Sequence, residues 1–506
     1  MTAVSREAIR HNRKLIIIPS HGERMNRTRL LAIMAIAFIA LGVMVNFIFF
    51  AHVPSCVNSS TVVASIQKSE LQQVHFGAVR KYRLPAGRSP NGIAVAPDGS
   101  VWFGEQALPG LGHLYANGTL VEYRWPFQYT SVLSGSFIGF TFIWGVALWN
   151  GCVWASDQAG SQLVALEPAT GRISTVKLNV GAFPYTLAVG PDDSLWFTEI
   201  FASKIGRVDN QLQLHEYPLP VFGTPAQIVF ANSSLGYYVD TGNVGLVEPA
   251  VYSFDPNNFS PVQVYSNGMT LLSPTSIAIA EDGLWVAQHT SSNLAYYDFN
   301  SHVWSQYPTT PVSYVETDLP YFVSSNGSLV WFNEHYANRM AVIDTTRGLL
   351  TEYSLSNPPA NKTTQIDNAL TFALGGNKVW FTELTANYVG YIDATYRPHF
   401  SISGSIEDQS LELRPGDNAT LNFTISGFST RPLSLEFADT ENLTSRPNRI
   451  MMSANVAEIK LLNNQTTIAI TVKAGSTLSP GDYILLVSVT DGSTNRGIYV
   501  RLRIDG

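Results

Sequence analysis

Cysteine is nearly absent from this chain. Cys56 and Cys152 are its two, which excludes a disulfide framework and any Cys-x-x-Cys metal site. A single Cys56–Cys152 bridge and a pair of free thiols both stay open. Charge is scarce as well. Asp, Glu, Lys and Arg make up 14% of the residues, the net charge is -7, and no basic run lies beyond the N-terminal segment. Phosphate binding needs clustered Lys and Arg, so composition speaks against a nucleic-acid partner. What is present is 11% aromatic residues, 38 glycines and 27 prolines, the mixture of a turn-rich all-β protein with a large core.

One long apolar run stands out, Leu30 to Ala51, with Asn46 as its one interior polar residue. Its 22 residues at ~1.5 Å each can cross a hydrocarbon layer of ~30 Å. Arg6, Arg10, Arg13, Lys14, Arg24, Arg27 and Arg29 precede it against Glu7 and Glu23, and no charge follows until Lys68. The positive-inside rule then predicts a single-pass plasma-membrane protein with its N-terminus inside and everything past Ala51 outside. A cleaved signal peptide is the competing reading, opposed by the length of the run and the lack of an A-x-A site. Asn-x-Ser/Thr triplets at Asn58, Asn117, Asn232, Asn258, Asn326, Asn361, Asn418, Asn422, Asn442 and Asn464 agree with an outside, glycosylated location, whereas Asn26 falls inside.

The strongest signal is a phrase repeated seven times: an apolar strand, a turn, then an aromatic strand ending in a polar group. Clear copies end at Glu105, Glu199 and Glu383, and degenerate ones at Asp157, Asp240, Gln288 and Glu334; the steps are 52, 42, 41, 48, 46 and 49 residues. Several short strands on a period of about 40–50 residues mark a β-propeller. Pro97-Asp98-Gly99, Pro191-Asp192-Asp193, Asn150-Gly151 and Glu281-Asp282-Gly283 suit the hairpins. Fourth strands recur as LVEYRWP, LHEYPLP, WSQYPT and LTEYSLS. The last unit lacks one, while VRKYRLP at 79–85 stands alone before the first unit. Bringing it round predicts seven blades closed three-plus-one, with no open sheet edge at the seam.

From about Ser401, seven short alternating runs with Gly/Pro/Asp turns suit an immunoglobulin-like sandwich acting as a spacer or in adhesion. The predicted fold class is therefore all-β: a seven-bladed propeller closed by an N-terminal strand, a C-terminal immunoglobulin-like β-sandwich and one N-terminal transmembrane helix. The predicted units are a cytoplasmic basic tail at 1–29, an anchor at 30–51, an extracellular linker at 52–75, the propeller at 76–397 and the sandwich at 398–506.

Hairpin geometry puts the start of each first strand and the end of each second strand at one end of the molecule. That groups Glu105, Asp157, Glu199, Asp240, Gln288, Glu334 and Glu383 with the first-strand openers Asn91, Trp144, Tyr185, Ala226, Thr275, Tyr321 and Asn368. A connection rich in aromatics (Trp125, Phe127, Tyr129, Phe137, Phe140, Phe142) falls there too. Six carboxylates held close would bias toward protonation or recruit a cation. His289 and His335, each following a strand-end residue, add candidate ligands or proton carriers, so Mg²⁺ or another divalent cation is the expected cofactor if one is held, with Glu334 and Glu383 as its ligands. The competing reading has each strand-end acid capping the next turn through backbone N–H groups. Trp102, Trp154, Trp196, Trp285, Trp331 and Trp380 read as blade-to-blade core.

The repeated P-x-x-I…PDG-x-[LV]-WF-x-E phrases, with ASKIGR at 202–207 and ANYVG at 386–390, resemble the virginiamycin B lyase (streptogramin lyase) family of seven-bladed propellers over about residues 79–393. The resemblance implies a Mg²⁺-dependent lyase that opens a cyclic depsipeptide by elimination across an ester bond, with histidines opening first strands. None of the seven openers here is histidine. Three functions follow as expectations. The first is a membrane-anchored extracellular propeller binding a glycan, peptide, partner domain or other cell-envelope component on its acidic, aromatic face. The second is a metal-dependent lyase or hydrolase using His335 or His289 as base. The third is a structural envelope protein.

Overall fold

The computed structural model describes residues 50–51, 62–127, 129–131, 137–138, 141–243, 246–264, 269–313, 315, 317–356, 367, 369–404, 410–440 and 450–506. All regular structure within them is β. The predicted membrane helix at 30–51 lies outside the described residues apart from Phe50–Ala51, which form a two-residue strand against Tyr129–Ser131 instead of a helix end. Among the described residues no helix is long and apolar enough to cross a membrane.

Seven antiparallel sheets stand in a ring. Their first strands are Pro90–Val95, Val146–Trp149, Pro184–Val189, Pro225–Asn232, Pro274–Ala280, Pro320–Asn326 and Phe372–Gly375, and each of these touches the next, the last returning to the first. The solitary segment Val79–Arg83 pairs with Tyr388–Asp393 and becomes the fourth strand of the seventh blade, as the sequence predicts. Gln73–Phe76 then extends that blade, Ser65–Glu70 extends the first and Val62–Val63 the second, so three outer edges are covered by the segment read as a linker.

The Trp-Phe dipeptide explains how blades pack. Successive strand residues point to opposite faces, so Trp faces one neighbouring blade and Phe the other. Trp380 packs with Phe103, Trp285 with Phe332, Trp331 with Phe381 and Trp154 with Phe197, each in one buried cluster. The residue two positions after the Trp turns toward the axis and ties one blade to the next. Ser156 Oγ donates to the Tyr185 carbonyl at 2.8 Å and Thr198 Oγ1 to the Ala226 carbonyl at 2.8 Å; Asn333 Nδ2 donates to the Ala369 carbonyl. Across the closure, the Gly92 amide donates to Thr371 Oγ1 at 2.9 Å.

The C-terminal residues form two sheets around one core that includes Phe423, Ile470, Leu485 and Val500. One sheet holds Phe400–Gly404, Asn418–Phe428, Leu462–Ala474 and Ile450–Ala454. In the other, Ser410–Leu413 runs parallel to Thr494–Ile504. This second sheet is continuous with the propeller, because Thr494–Ile498 pairs antiparallel with Leu349–Tyr353, the fourth strand of the sixth blade. Cys152 is half-buried and unbridged in the second blade; Cys56 lies outside the described residues.

Candidate functional site

All seven strand-end groups are fully buried. They do not line a common mouth; each turns sideways into its own blade. In the second, fourth and fifth blades the group holds nearby loops. Asp157 accepts from Thr141 Oγ1 at 2.5 Å, Gln162 Nε2 at 2.6 Å and the Gly160 amide at 3.0 Å. Asp240 accepts from the Thr224 and Gly242 amides, both at 2.8 Å. Gln288 Oε1 accepts from the Leu272 amide at 2.8 Å. This is local backbone clamping of the kind Asp and Asn supply in turns.

In the other four blades the acid faces the fourth strand across a small residue of the third. In the third blade that residue is Gly206, where a Cβ would lie 2.0 Å from the Phe197 ring. Glu105 lies by Glu122, Glu199 by Glu216, Glu334 by Glu352, and Glu383 by Lys81, whose Nζ donates to Glu383 Oε1 at 2.6 Å. Cations attend the paired acids: Arg124 Nη1 is 3.7 Å from Glu105, Lys204 Nζ is 3.1 Å from Glu216, and Arg339 Nη1 is 3.5 Å from Glu334 and 3.6 Å from Glu352. Burial first, and the neighbouring carboxylate second, push Glu105 and Glu334 well above the ordinary carboxylate range. The same causes, burial leading, push Glu199 to about 8, and burial opposed by Lys81 pushes Glu383 to about 7. Neither Glu199 oxygen meets an N–H or hydroxyl donor, and with its pKa raised to about 8 Glu199 holds its proton at neutral pH beside Glu216.

A pH test follows. A folded pKa above the unfolded value of 4.5 gives stability that is full below pH 4.5 and lost as pH rises through about 8. Glu199→Gln is therefore expected to match the parent near pH 4 and to exceed it by about 2–3 kcal/mol at pH 9, once partly exposed Lys204 and Glu216 screen the pair. Urea unfolding at both pH values checks it, and a constant difference would refute the retained proton.

The first-strand openers divide. Asn91 is buried and accepts from Thr371 Oγ1 at 3.1 Å. Ala226 is buried, Thr275 Oγ1 donates to the Tyr321 carbonyl at 2.6 Å, and Asn368 lies outside the described residues. Trp144, Tyr185 and Tyr321 come together: Trp144 lies 5.0 Å from Tyr185 and 5.8 Å from Tyr321 between ring centroids, and the two tyrosine hydroxyls are hydrogen-bonded. His289 and His335 join them. Tyr321 meets both edge-to-face, at 5.0 and 5.6 Å. The imidazoles lie near-parallel with Nε2 to Nε2 at 2.8 Å. Two neutral imidazoles bond this way only if one carries its proton on Nε2 and the other accepts there. Burial lowers the His289 pKa to about 4, so it is neutral at physiological pH. An aromatic and imidazole cluster from the second, third, fifth and sixth blades thus lies toward the mouth of the propeller, with Tyr185, His289 and His335 buried and Trp144 and Tyr321 partly exposed.

This donor set does not fit Mg²⁺, which takes oxygen ligands in octahedral array. Glu334 and Glu383 sit in separate blades beside Arg339 and Lys81, and the histidines bond each other. Among the described residues no group of three His, Cys, Asp or Glu side chains is placed to hold a metal ion. Sequence reasoning missed Lys81, Glu122, Glu216 and Glu352. The signal was available in the fourth-strand repeat, where Glu, Gln or Lys stands before the Tyr of LVEYRWP, LHEYPLP, WSQYPT, LTEYSLS and VRKYRLP.

The comparisons agree with this architecture. Virginiamycin B lyase of Nocardia farcinica (strain IFM 10152) is 27% identical over 133 residues, 26% of this chain and 42% of that protein. Virginiamycin B lyase from Staphylococcus aureus superposes with a TM-score of 0.51 at 18% identity, covering 65% of this chain and 99% of that one. The chain carries a virginiamycin B lyase-like propeller. A catalytically inactive variant of the Staphylococcus aureus enzyme with quinupristin gives the same TM-score of 0.51, identity of 18% and coverage of 65% and 99%. No protein-family model matches. The match spans about two-fifths of the length of the curated relative, 42%, so the virginiamycin B lyase-like likeness speaks for the fold.

Proposed function

We propose that this chain is a membrane-anchored extracellular binding propeller. Its ligand, a peptide or glycan with apolar faces, rests on the cluster of Trp144, Tyr185 and Tyr321, and the C-terminal pair of sheets, read as an immunoglobulin-like module, braces the sixth blade. The observation that carries this reading is the uncharged aromatic cluster at the mouth. Aromatic faces stack on apolar ligand surfaces, and Trp144 and Tyr321 are the partly exposed members. The buried acids, already paired inside their blades, add no charge to that surface.

The contact between His289 and His335 favours a second reading, a lyase or hydrolase acting on a cyclic ester, because an imidazole pair can take and return a proton. Quinupristin and arrays of glycans and peptides are the probes. Retention on the arrays, or quinupristin binding without turnover, weakened at least tenfold (about 1.4 kcal/mol) in Trp144→Ala, is the expected result. Turnover of quinupristin that disappears in His335→Ala would replace the binding reading with the enzymatic one. Failure of Trp144→Ala to weaken any observed binding would remove the mouth as the site.

A further inference from the structure

We propose that the mouth end of the propeller lies on a lipid bilayer, with loop-tip side chains inserted at the boundary of headgroups and acyl chains. The inference rests on reading residues 30–51 as a membrane anchor, adds an orientation to it, and confines the ligand of the mouth to one carried at the membrane surface.

Charge is distributed very unevenly between the two ends. Eight connections at the mouth end, at 106–109, 158–161, 178–183, 200–203, 219–224, 289–292, 335–338 and 384–387, contain no Asp, Glu, Lys or Arg. Of the charged side chains described in the remaining connections there, Arg88 is bonded to Glu122 and Asp318 is buried, leaving Glu248 and Asp367. The opposite end carries Asp98, Asp193, Asp209, Glu281, Asp282 and Asp393, with Arg347, Lys378 and Arg397 of the other sign, none of them buried. Taking unpaired charges out of water at the edge of a hydrocarbon phase is costly, so the uncharged end is the one that can approach it.

Large apolar side chains stand exposed at the mouth end on separate loops: Val180 at 76%, Phe222 at 65%, Leu246 at 76% and Leu108 at 39%. Large apolar groups at the opposite end, Leu212 at 50%, Val303 at 49% and Val189 at 44%, are less exposed than Val180, Phe222 and Leu246. The mouth-end groups are spread over several blades, not gathered into one pocket, which suits shallow insertion into a fluid apolar phase better than a single protein knob. The chain path agrees. The apolar run ends at Ala51, and the backbone of Phe50–Ala51 pairs with Thr130 and Ser131 in the connection between the first and second blades, at this same end. If the run spans the membrane, the mouth end is the part of the propeller next to the surface.

The test uses the full chain with Cys56→Ser and Cys152→Ser, reconstituted in vesicles of phosphatidylcholine with about one-fifth phosphatidylglycerol. Nitroxide labels are placed singly through Val180→Cys, Phe222→Cys and Leu246→Cys, through Asp98→Cys and Glu281→Cys at the far end, and through Val45→Cys in the apolar run. Oxygen and a water-soluble nickel chelate report depth. The expected result is a ratio of oxygen to nickel accessibility several-fold higher at the three mouth labels than at the far end, corresponding to about 5–10 Å of insertion. Mouth labels as open to nickel as the far-end labels would overturn the proposal. Mouth labels shielded from both reagents would overturn it in favour of a protein partner or second copy. The Val45→Cys label reports separately on the anchor, so failure of the anchor and failure of the docked face are distinguishable.

Discussion

Lys81→Met is expected to destabilise the propeller by about 3–5 kcal/mol at pH 8, and by much less at pH 5. Lys81 comes from the N-terminal strand that closes the ring, and its Nζ donates to Glu383 Oε1 at 2.6 Å from the third-to-last strand of the circle. The two side chains are 9% and 0% exposed. Burial already pushes Glu383 to about 7 with the lysine beside it. Without the lysine, its opposing influence is gone and the carboxyl moves further up. A group whose folded pKa exceeds its unfolded value gives stability that is full below the unfolded value of 4.5 and lost as pH rises through the folded one. At pH 5 the variant holds a neutral acid in the seam; at pH 8 it must keep that proton while the unfolded chain releases it, or bury an unpaired charge, or open. Urea unfolding at both pH values measures this, and Lys81→Met with Glu383→Gln is expected to recover most of the loss. Equal losses at both pH values would show that the strand itself, not the ion pair, holds the closure.

The periodic features of this fold were legible because they are local. The apolar–turn–WF–acid phrase fixes strand, hairpin and face within fourteen residues, and VRKYRLP matches other fourth strands by its own letters, so the long-range pairing of Val79–Arg83 with Tyr388–Asp393 could be read without coordinates. Direction was harder. Period-two alternation says that Glu199 and Phe197 share a face and Thr198 the other, yet hairpin ends alone place Glu199 at an end of the molecule. The twist of the blade decides whether it faces the axis or a neighbour. Thr198 took the axis, bonding the next blade at 2.8 Å, and Glu199 took the blade interior. Treating strand-end acids as a shared ring therefore overlooked the residue one position earlier. The mouth was partly legible. Trp144, Tyr185 and Tyr321 were grouped by topology, as were His289 and His335, but their convergence from four blades depends on backbone positions that no local pattern encodes. The partner of Glu352 was out of reach, since Asn495 lies 143 residues away in a unit read as a spacer.

That distant partner sets the second large effect. A chain ending at Arg397 is expected to lose about 3–6 kcal/mol of propeller stability, because Leu350 loses Ile484, Leu486 and Tyr499 from its buried cluster, a burial worth about 1.5–3 kcal/mol, and Glu352 loses a buried hydrogen-bond donor worth about 1–3 kcal/mol. The junction is more than a shared ladder. Asn495 Nδ2 donates to Glu352 Oε2 at 2.7 Å, Thr310 and Ser488 hydroxyls meet at 2.9 Å, and Tyr499 donates to the Pro308 carbonyl at 3.0 Å. Arg339, which donates to the Thr310 carbonyl at 2.8 Å, sits between Glu334 and Glu352. The charges inside the sixth blade are therefore completed by atoms from the C-terminal sheets. Asn495→Leu isolates that point, leaving Glu352 Oε2 without its donor at a cost of about 1–3 kcal/mol while the sheet pairing persists. Thermal unfolding of the full chain should show the propeller and the C-terminal sheets melting together, with both variants shifted down. A truncated chain that melts where the full chain does would mean the two sheets hang from the sixth blade without supporting it. Because His335 directly follows Glu334 in the sequence, loosening of this blade should also reach the imidazole pair at the mouth, and a fall in ligand affinity in Asn495→Leu is the measurement that would connect the two.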